Sequence, residues 1–267
     1  MLFYLLWIPA ALTTLGIYCL KNPGLGWILP ILLGSFVVWN GLYLLYTFII
    51  CKRVDMTREY DDISPFYRKN VNLFVDWLLA VCGVRVELRG TEWLPEKGVF
   101  LLVGNHRSAF DPLAAMHVFQ KLEPPMAFIS KPENIQKLYL GAAAFRAGFL
   151  PIDRENARNA LKTINAAAER MKAGTCSYGI YPEGTRTKTG DLQEFHAGSF
   201  KAAQKANVPV VIMATEGSES AIKGMCFRPR TVTLTILERI EAEDVKASKT
   251  SALAEHTRSL LLEYLGH

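Results

Sequence analysis

Charge is almost absent from the first 51 residues, where Lys21 is the only charged side chain. The apolar stretches 2–20 and 27–51 each reach or approach the roughly 20 residues that a bilayer-spanning helix needs. The segment between them, 21–26, contains proline and glycine and is too short for anything but a bend. Residues 1–51 are therefore predicted to form a membrane-embedded helical hairpin.

Two other interpretations of this segment are disfavoured, because the sequence lacks the features that they require. A secretory signal peptide begins with a basic region, and none precedes the first apolar stretch. A buried hairpin of a soluble protein normally has a polar stripe, which both stretches lack. Full crossing of the bilayer and re-entry into one leaflet both stay open, and both leave the N-terminus and the following domain on the same side.

The distribution of basic residues predicts which side that is. Lys52, Arg53 and Arg58 follow the second stretch directly, whereas the bend has Lys21 alone. For a hairpin in the membrane, the positive-inside rule predicts that the large domain lies on the cytoplasmic face. The same basic residues suit contact with anionic headgroups.

The chain also lacks paired cysteines and a strongly basic surface. No Cys-x-x-Cys spacing occurs, so neither a disulfide framework nor a zinc site is predicted, and a reducing compartment fits. The net charge of +5 comes from 30 basic and 25 acidic residues without a dense basic stripe, which argues against nucleic acid as a partner. This charge suits an anionic lipid surface or an acidic carrier protein.

Several sequence motifs of hydrolases and nucleotide-binding enzymes are missing. There is no Gly-x-Ser-x-Gly elbow, no His-Glu-x-x-His metal helix and no Gly-x4-Gly-Lys phosphate loop. Ser220 and Lys223 match Ser-x-x-Lys, but its companion motifs are absent and the match is attributed to chance. We therefore expect no metal and direct attack of one substrate on the other, without a covalent intermediate on the enzyme.

Beyond the hairpin, the pattern changes to that of a globular α/β domain. Residues 52–83 are predicted as a linker and an amphipathic helix that begins at Ser64 and Pro65, packed on the domain or on the membrane. Residues 84–267 alternate between short β-rich runs and helical segments, which predicts a central, mostly mixed sheet flanked by helices. The expected strands are 84–88, 99–103, 126–130, 176–181, 208–214 and 231–237. The expected helices are 112–121, 134–146, 156–173, 198–206 and 251–265.

The most informative segment is 105–111, which follows a buried strand and contains His106 and Asp111 five positions apart. Strand ends that open onto loops are common sites of chemistry in α/β proteins. A histidine oriented by a carboxylate can take the proton of an attacking alcohol, which is worth about 10² to 10⁴ in rate. A satisfied loop histidine is the alternative, because the spacing alone is weak evidence.

Two further segments supply groups for an anion. After a second apolar run come Glu183, Gly184, Thr185 and Arg186, where glycine permits close backbone approach and arginine matches a phosphate. Arg154 follows a mostly apolar segment and Lys131 follows a predicted strand, and basic groups that converge from separate segments suit a phosphate clamp. The simpler interpretation of each segment alone is a capped loop with a surface basic residue.

These segments in this order, followed by the apolar run 208–212, resemble the glycerolipid acyltransferase superfamily. The resemblance covers about residues 85–240 and is closest to the 1-acylglycerol-3-phosphate acyltransferases, in which a membrane hairpin is also familiar. The departures from the family pattern leave the histidine, the aspartate and the arginines intact; they are Pro151, Tyr181 in place of phenylalanine, His196 and Ile212.

The resemblance implies roles for individual residues. His106 would be the general base and Asp111 its partner, and Val208 and Pro209 would belong to the acyl-site region. Residues that would bind the phosphate-bearing acceptor are Arg154, Glu183, Gly184, Thr185 and Arg186, with Lys131 as a further contact.

The implied reaction is acyl transfer from acyl-carrier protein or acyl-CoA to the sn-2 hydroxyl of 1-acylglycerol 3-phosphate, which gives phosphatidic acid. The resemblance implies no cofactor beyond the thioester co-substrate; the partners would be the lipid acceptor, the carrier protein or CoA, and the bilayer. Alternatives left open are acylation of another lysolipid, such as a lyso-ornithine lipid or a lysophospholipid in remodelling, a thioesterase, and a non-catalytic lipid-binding protein on the same fold.

Overall fold

A computed structural model of the chain describes residues 2–21, 28–136, 139–185, 191–221 and 229–266. Both N-terminal apolar stretches are helical: α1 is Leu2–Lys21 and α2 is Ile28–Lys52, and α1 packs beside α2. The bend at 22–27 lies outside the described residues, so the hairpin stays a prediction. Within the described ranges, α2 is the one helix that is long and apolar enough to cross a membrane.

The domain that follows has a seven-stranded mixed sheet in the order β1-β7-β6-β2-β5-β3-β4. Five neighbouring strands, from β6 to β4, are parallel, while β7 pairs antiparallel with β6 and parallel with β1. The predicted mixed α/β architecture is confirmed. The strands are β1 Val84–Arg89, β2 Leu101–Gly104, β3 Met126–Ser130, β4 Leu150–Pro151, β5 Ser177–Ile180, β6 Val210–Glu216 and β7 Arg230–Ile240.

Helices cover both faces of this sheet because the central strands bury alternate side chains on opposite sides. Leu101 and Val103 of β2 enter the core cluster under α7, α8 and α10, whereas Leu102 enters the cluster under α3 and α4. The helices are α3 Pro65–Val81, α4 Phe110–Phe119, α5 Pro132–Gln136, α6 Gly141–Arg146, α7 Ala157–Lys172, α8 Lys201–Ala206, α9 Ala242–Ala247 and α10 Thr250–Leu265.

One predicted helix, 134–146, is wrong, because the chain breaks it into α5 and α6. Gly141 begins α6 against the backbone of Ile135, where a Cβ atom would collide with the Ile135 carbonyl. The two short helices therefore pack on each other instead of forming one rod. The short strand β4 and the helix α9 were not predicted.

The C-terminal end of α2 is packed onto the domain. Thr47 is completely buried and contacts the Tyr139 hydroxyl at 3.0 Å, and the same hydroxyl hydrogen-bonds the backbone carbonyl of Leu44. Trp77 of α3 donates to Asn40 Oδ1 at 2.7 Å. A small apolar cluster joins α2, α3 and α6, formed by Ile50, Cys51, Val71, Leu140, Ala143 and Ala147.

Elsewhere along α2 the apolar side chains have no such cover. Val37 is 67% exposed and Leu29 is 66% exposed, and most of the large apolar residues beside them are also open. A soluble protein rarely leaves so large a continuous apolar surface uncovered. This surface is what a helix in contact with lipid presents.

Candidate active site

His106 and Asp111 form a hydrogen-bonded pair at the carboxyl end of β2. His106 Nδ1 lies 2.8 Å from Asp111 Oδ2, and the aspartate is fully buried while 17% of the histidine side chain is exposed. A carboxylate at Nδ1 keeps the proton on that nitrogen, which leaves Nε2 to accept one. The pair thus has the geometry of a base and its orienting partner, the arrangement that the family resemblance implied.

The loop between β2 and α4 is wound around the Asp111 carboxylate. The backbone amides of Arg107 and Ser108 donate to Asp111 Oδ2 at 2.7 and 2.8 Å, in addition to the imidazole. The Ser108 hydroxyl accepts from the Phe110 amide at 3.2 Å, which helps the chain to enter α4. One carboxylate oxygen therefore fixes both the loop and the histidine ring.

Neighbouring strands hold the backbone of the same loop on both sides. Asn105, which is fully buried, donates to the Thr215 carbonyl at 2.9 Å and accepts from the Thr215 amide at 2.8 Å. On the other side, the His106 amide donates to Glu183 Oε1 at 2.6 Å, and Glu183 Oε2 accepts from the Gln193 amide at 3.2 Å. Burial raises the pKa of Glu183, while these two amides act in the opposite direction.

Tyr181, directly after β5, packs its ring against the imidazole. The ring centres of Tyr181 and His106 are 4.5 Å apart with 15° between their planes, and Phe128 stacks on the far face of the tyrosine at 6.0 Å and 12°. The Tyr181 hydroxyl is buried and has no hydrogen-bond partner among the described residues. Burial, with the nearby charge of Asp111, raises the pKa of this hydroxyl.

Arg154 reaches the same site from the end of β4. Its Nη2 donates to the Tyr181 carbonyl at 3.1 Å, and its buried Nη1 has no partner in the part of the chain that the structure describes. Gly184 has a φ of 75°, and a Cβ atom there would collide with Nη1. Burial lowers the pKa of Arg154, but a guanidinium remains charged at neutral pH. Gly184 therefore provides both the turn and the space for a positive charge.

The other residues predicted at the acceptor site lie at the same edge of the sheet or outside the described residues. Lys131 and Thr185 are exposed, after β3 and β5 respectively. Arg186 is outside the described residues. The Gly184 amide donates to the Tyr181 carbonyl at 3.1 Å, so it is not free to bind a ligand.

The structure does not bring Val208 and Pro209 to this edge. Both precede β6, and the Pro209 carbonyl accepts from the Leu101 amide at 3.0 Å, at the amino end of β2. Because each strand residue advances the chain by about 3.3 Å, these residues lie roughly 20 Å from His106 along the sheet. Their assignment to the acyl site stays a prediction.

Comparison with known proteins gives a family that fits this arrangement. The family model described as Acyltransferase matches residues 85–216, which contain the strand ends and loops described above. Residues 85–216 form a domain of the acyltransferase family.

Members of the family with named activities are similar over much of the chain. The 1-acyl-sn-glycerol-3-phosphate acyltransferase alpha of Bos taurus is 29% identical over 67% of this chain and 62% of its own length. The probable 1-acyl-sn-glycerol-3-phosphate acyltransferase of Mycoplasma pneumoniae is 33% identical over 60% of this chain and 62% of its own. The chain thus spans about three fifths of the length of these curated relatives. The Salmonella typhimurium 1-acyl-sn-glycerol-3-phosphate acyltransferase is 24% identical over 81% of this chain and 87% of its own.

A solved acyltransferase has the same fold. The crystal structure of the 1-acyl-sn-glycerophosphate (LPA) acyltransferase PlsC from Thermotoga maritima superposes with a TM-score of 0.59, covering 86% of this chain and 88% of its own. The sequence identity is 19%, so the likeness concerns the fold.

Three residues of this acyltransferase site were not identified from the sequence as part of it. Asn105 and Ser108 lie inside the His106 segment, where buried polar residues after an apolar strand were a usable signal. Tyr181 was noted only as a departure from the family pattern. Its stacking on His106 joins two strand ends that are 75 positions apart in the chain, and no local pattern encodes that contact.

Proposed function

We propose that the protein transfers a fatty acyl group from a thioester donor, acyl-carrier protein or acyl-CoA, to the sn-2 hydroxyl of 1-acylglycerol 3-phosphate. The product is phosphatidic acid. The observation that carries this proposal is the 2.8 Å contact of His106 with a buried Asp111 beside the Arg154 charge. The named activities of the relatives support the same acceptor.

In the proposed mechanism, His106 acts as a general base in a single transfer step. Nε2 takes the proton of the acceptor hydroxyl while that oxygen attacks the thioester carbonyl carbon, and Asp111 stabilises the imidazolium that results. The tetrahedral intermediate then collapses by breaking the carbon–sulfur bond, and His106 returns the proton to the departing thiolate. No acyl-enzyme forms.

The acceptor phosphate would lie at the carboxyl edge of the sheet, beside the base. The exposed Lys131 and Thr185, together with Arg186, would contact the phosphate, and Arg154 would add positive charge from beneath. Because a glycerol backbone places the sn-2 hydroxyl close to the phosphate, one ligand can reach both these groups and His106.

Membrane attachment has a physical reason in this reaction. The acceptor and product both have long acyl chains, and exposing each methylene to water costs about 0.8 kcal/mol. The uncovered apolar surface of α2 supports a site held at the bilayer, with the exposed Lys52, Arg53 and Arg58 on the cytoplasmic side.

The decisive test compares three histidine variants in a detergent preparation supplied with lysophosphatidate and each acyl donor in turn. His106→Gln should lower kcat by about 10² to 10⁴. His117→Gln and His256→Gln are matched controls, because these histidines also contact carboxylates, Asp76 at 2.7 Å and Glu238 at 2.9 Å. Full activity of His106→Gln, or an equal loss in the controls, would refute the proposed base.

Acceptor and product analysis in the same assay distinguishes the other reactions. Equal rates with a lyso-aminolipid and lysophosphatidate would indicate a different lysolipid substrate. Free fatty acid released without acceptor would indicate a thioesterase, and tight acceptor binding without turnover would indicate a lipid-binding protein. Phosphatidic acid as the preferred product supports the proposal.

A further inference from the structure

Two aromatic residues, Tyr181 and Phe128, extend the histidine–aspartate pair. Tyr181 stacks on the imidazole of His106 at 4.5 Å and 15°, and Phe128 backs the tyrosine, so three nearly parallel rings form one stack. Parallel rings pack well when their centres are about 4.5–7 Å apart, and such a pair adds about 0.5–1.5 kcal/mol beyond simple burial. The stack leaves the imidazole little freedom to tilt.

The hydroxyl of Tyr181 is unusual for a buried polar group. It has no partner among the described residues, and the same is true of Asp111 Oδ1, the carboxylate oxygen that does not contact His106. A buried donor and a buried acceptor without partners are each costly, and most such groups in proteins are satisfied. Here one group can donate and the other can accept.

Further observations place these two groups at the same end of the sheet. The Tyr181 ring stacks on the imidazole that Asp111 contacts at 2.8 Å, and burial, with the nearby charge of Asp111, raises the pKa of the hydroxyl. Two more buried hydroxyls without described partners, those of Thr215 and Ser218, lie at the carboxyl end of the adjacent β6. A single bridging water joins polar atoms roughly 4.5–5.5 Å apart and is typically held by about three partners.

We propose that Tyr181 is a positioning residue for the base: its ring fixes the plane of the His106 imidazole, and its hydroxyl donates to Asp111 Oδ1 through one water. Donation to Oδ1 disperses the negative charge of the carboxylate. Asp111 then stabilises the imidazolium less strongly than it would without this hydrogen bond. This inference rests on the proposed function only in its kinetic readout.

The charged and titratable groups that face this pair come from several elements. Variants of these groups would also alter the pH profile of kcat/KM. The groups are Tyr181 and Glu183 after β5, Arg154 after β4, which bonds the Tyr181 carbonyl, and Arg107 in the β2 loop, which pairs with Glu219 at 3.6 Å. Tyr181→Phe changes none of these charges.

The test uses the full chain in detergent and three variants. Tyr181→Phe removes only the hydroxyl, and Tyr181→Leu also removes the ring. Tyr178→Phe is the matched control, because Tyr178 lies in β5 just before Tyr181, is fully buried, and has a hydroxyl already bonded to Gly148 and Arg170 at 3.1 Å. The measurements are the pH profile of kcat/KM, the pH titration of ¹³C-labelled histidine rings by NMR, and the denaturant midpoint.

Tyr181→Phe should move the acid limb of the pH profile, and the His106 ring titration, to higher pH by up to about 0.7 of a unit, since one hydrogen bond is worth about 1 kcal/mol and one pH unit about 1.4. Tyr181→Leu should in addition lower kcat about tenfold at little change in KM. Tyr178→Phe should lower the denaturant midpoint and leave both titrations unchanged.

Superimposable titrations of the native chain and Tyr181→Phe would overturn the proposal, as would an equal shift in Tyr178→Phe. The NMR titration, with the His106 signal assigned through His106→Gln, requires no turnover. A native chain that acylates no lysolipid would therefore refute the proposed function, while the ring titration would still decide the role of Tyr181.

Discussion

Replacing Gly184 by alanine should damage both stability and acceptor binding, for two separable reasons. At φ 75° an alanine is strained, which costs about 1–2 kcal/mol. The new Cβ atom would also displace the Arg154 guanidinium and break its 3.1 Å hydrogen bond to the Tyr181 carbonyl. A hydrogen bond from a charged group contributes about 1.5–3 kcal/mol, so the total loss should be about 3–4 kcal/mol.

Gly174 offers a matched control for the backbone strain. Its φ is 66°, and a Cβ atom there has no neighbour within 4 Å. Gly174→Ala should therefore lose about 1–2 kcal/mol and keep full activity. Gly184→Ala should in addition raise the KM for lysophosphatidate about tenfold, which corresponds to about 1.4 kcal/mol of lost binding.

The measurements are urea unfolding and initial rates over a range of lysophosphatidate concentrations. In an Arg154→Ala background the collision is gone, so Gly184→Ala should then cost only as much as Gly174→Ala. If Gly184→Ala matched Gly174→Ala in both unfolding free energy and KM, the contact between the glycine and the guanidinium would have no functional importance.

Two further predictions concern the buried contacts around the base. Asn105→Ala leaves the Thr215 amide and carbonyl without their Asn105 partners and should lower the unfolding free energy by about 2–4 kcal/mol. Replacing the exposed Asn159 by alanine should change the unfolding free energy by no more than about 0.5 kcal/mol. Equal urea midpoints for the two variants would contradict this prediction. Burial raises the pKa of Glu183 above 4.5, so the folded chain binds a proton at this carboxylate more tightly than the unfolded chain does. The unfolding free energy should therefore fall as the pH rises from 4.5 through the pKa of Glu183 in the folded chain. Glu183→Gln should remove that part of the slope in urea midpoints measured from pH 4.5 upward, and an unchanged slope would exclude Glu183 as its source.

The strands of the domain were predictable because the sheet buries them on both faces. Six of the seven strands fall where apolar β-rich runs occur, and the alternation of Leu101 and Leu102 between opposite faces follows from the pleat. The strand order does not follow, since it depends on which runs pair across the chain. β4 is only Leu150–Pro151 and is defined by its pairing with β3, so no periodicity could indicate it.

Within the site, the sequence predicted the contacts between residues that are close together in the chain. His106 and Asp111 are five positions apart, and the loop that joins them makes their contact possible without knowledge of the fold. Arg154 was predicted to bind the acceptor phosphate, but its bond to the Tyr181 carbonyl arises because β4 and β5 both flank β3. Contacts that depend on sheet order require the structure.

The packing of the last turns of α2 affects how this protein can be divided. Ile50 and Cys51 share an apolar cluster with Val71 and Ala143, so a cut at residue 52 would remove part of the interior of the catalytic domain along with the membrane segment. The exposed remnant would favour aggregation of such a fragment. The last turns of α2 and the domain are therefore one packing unit, and a shortened version of the chain would need polar replacements on α3 and α6 as well as a deletion.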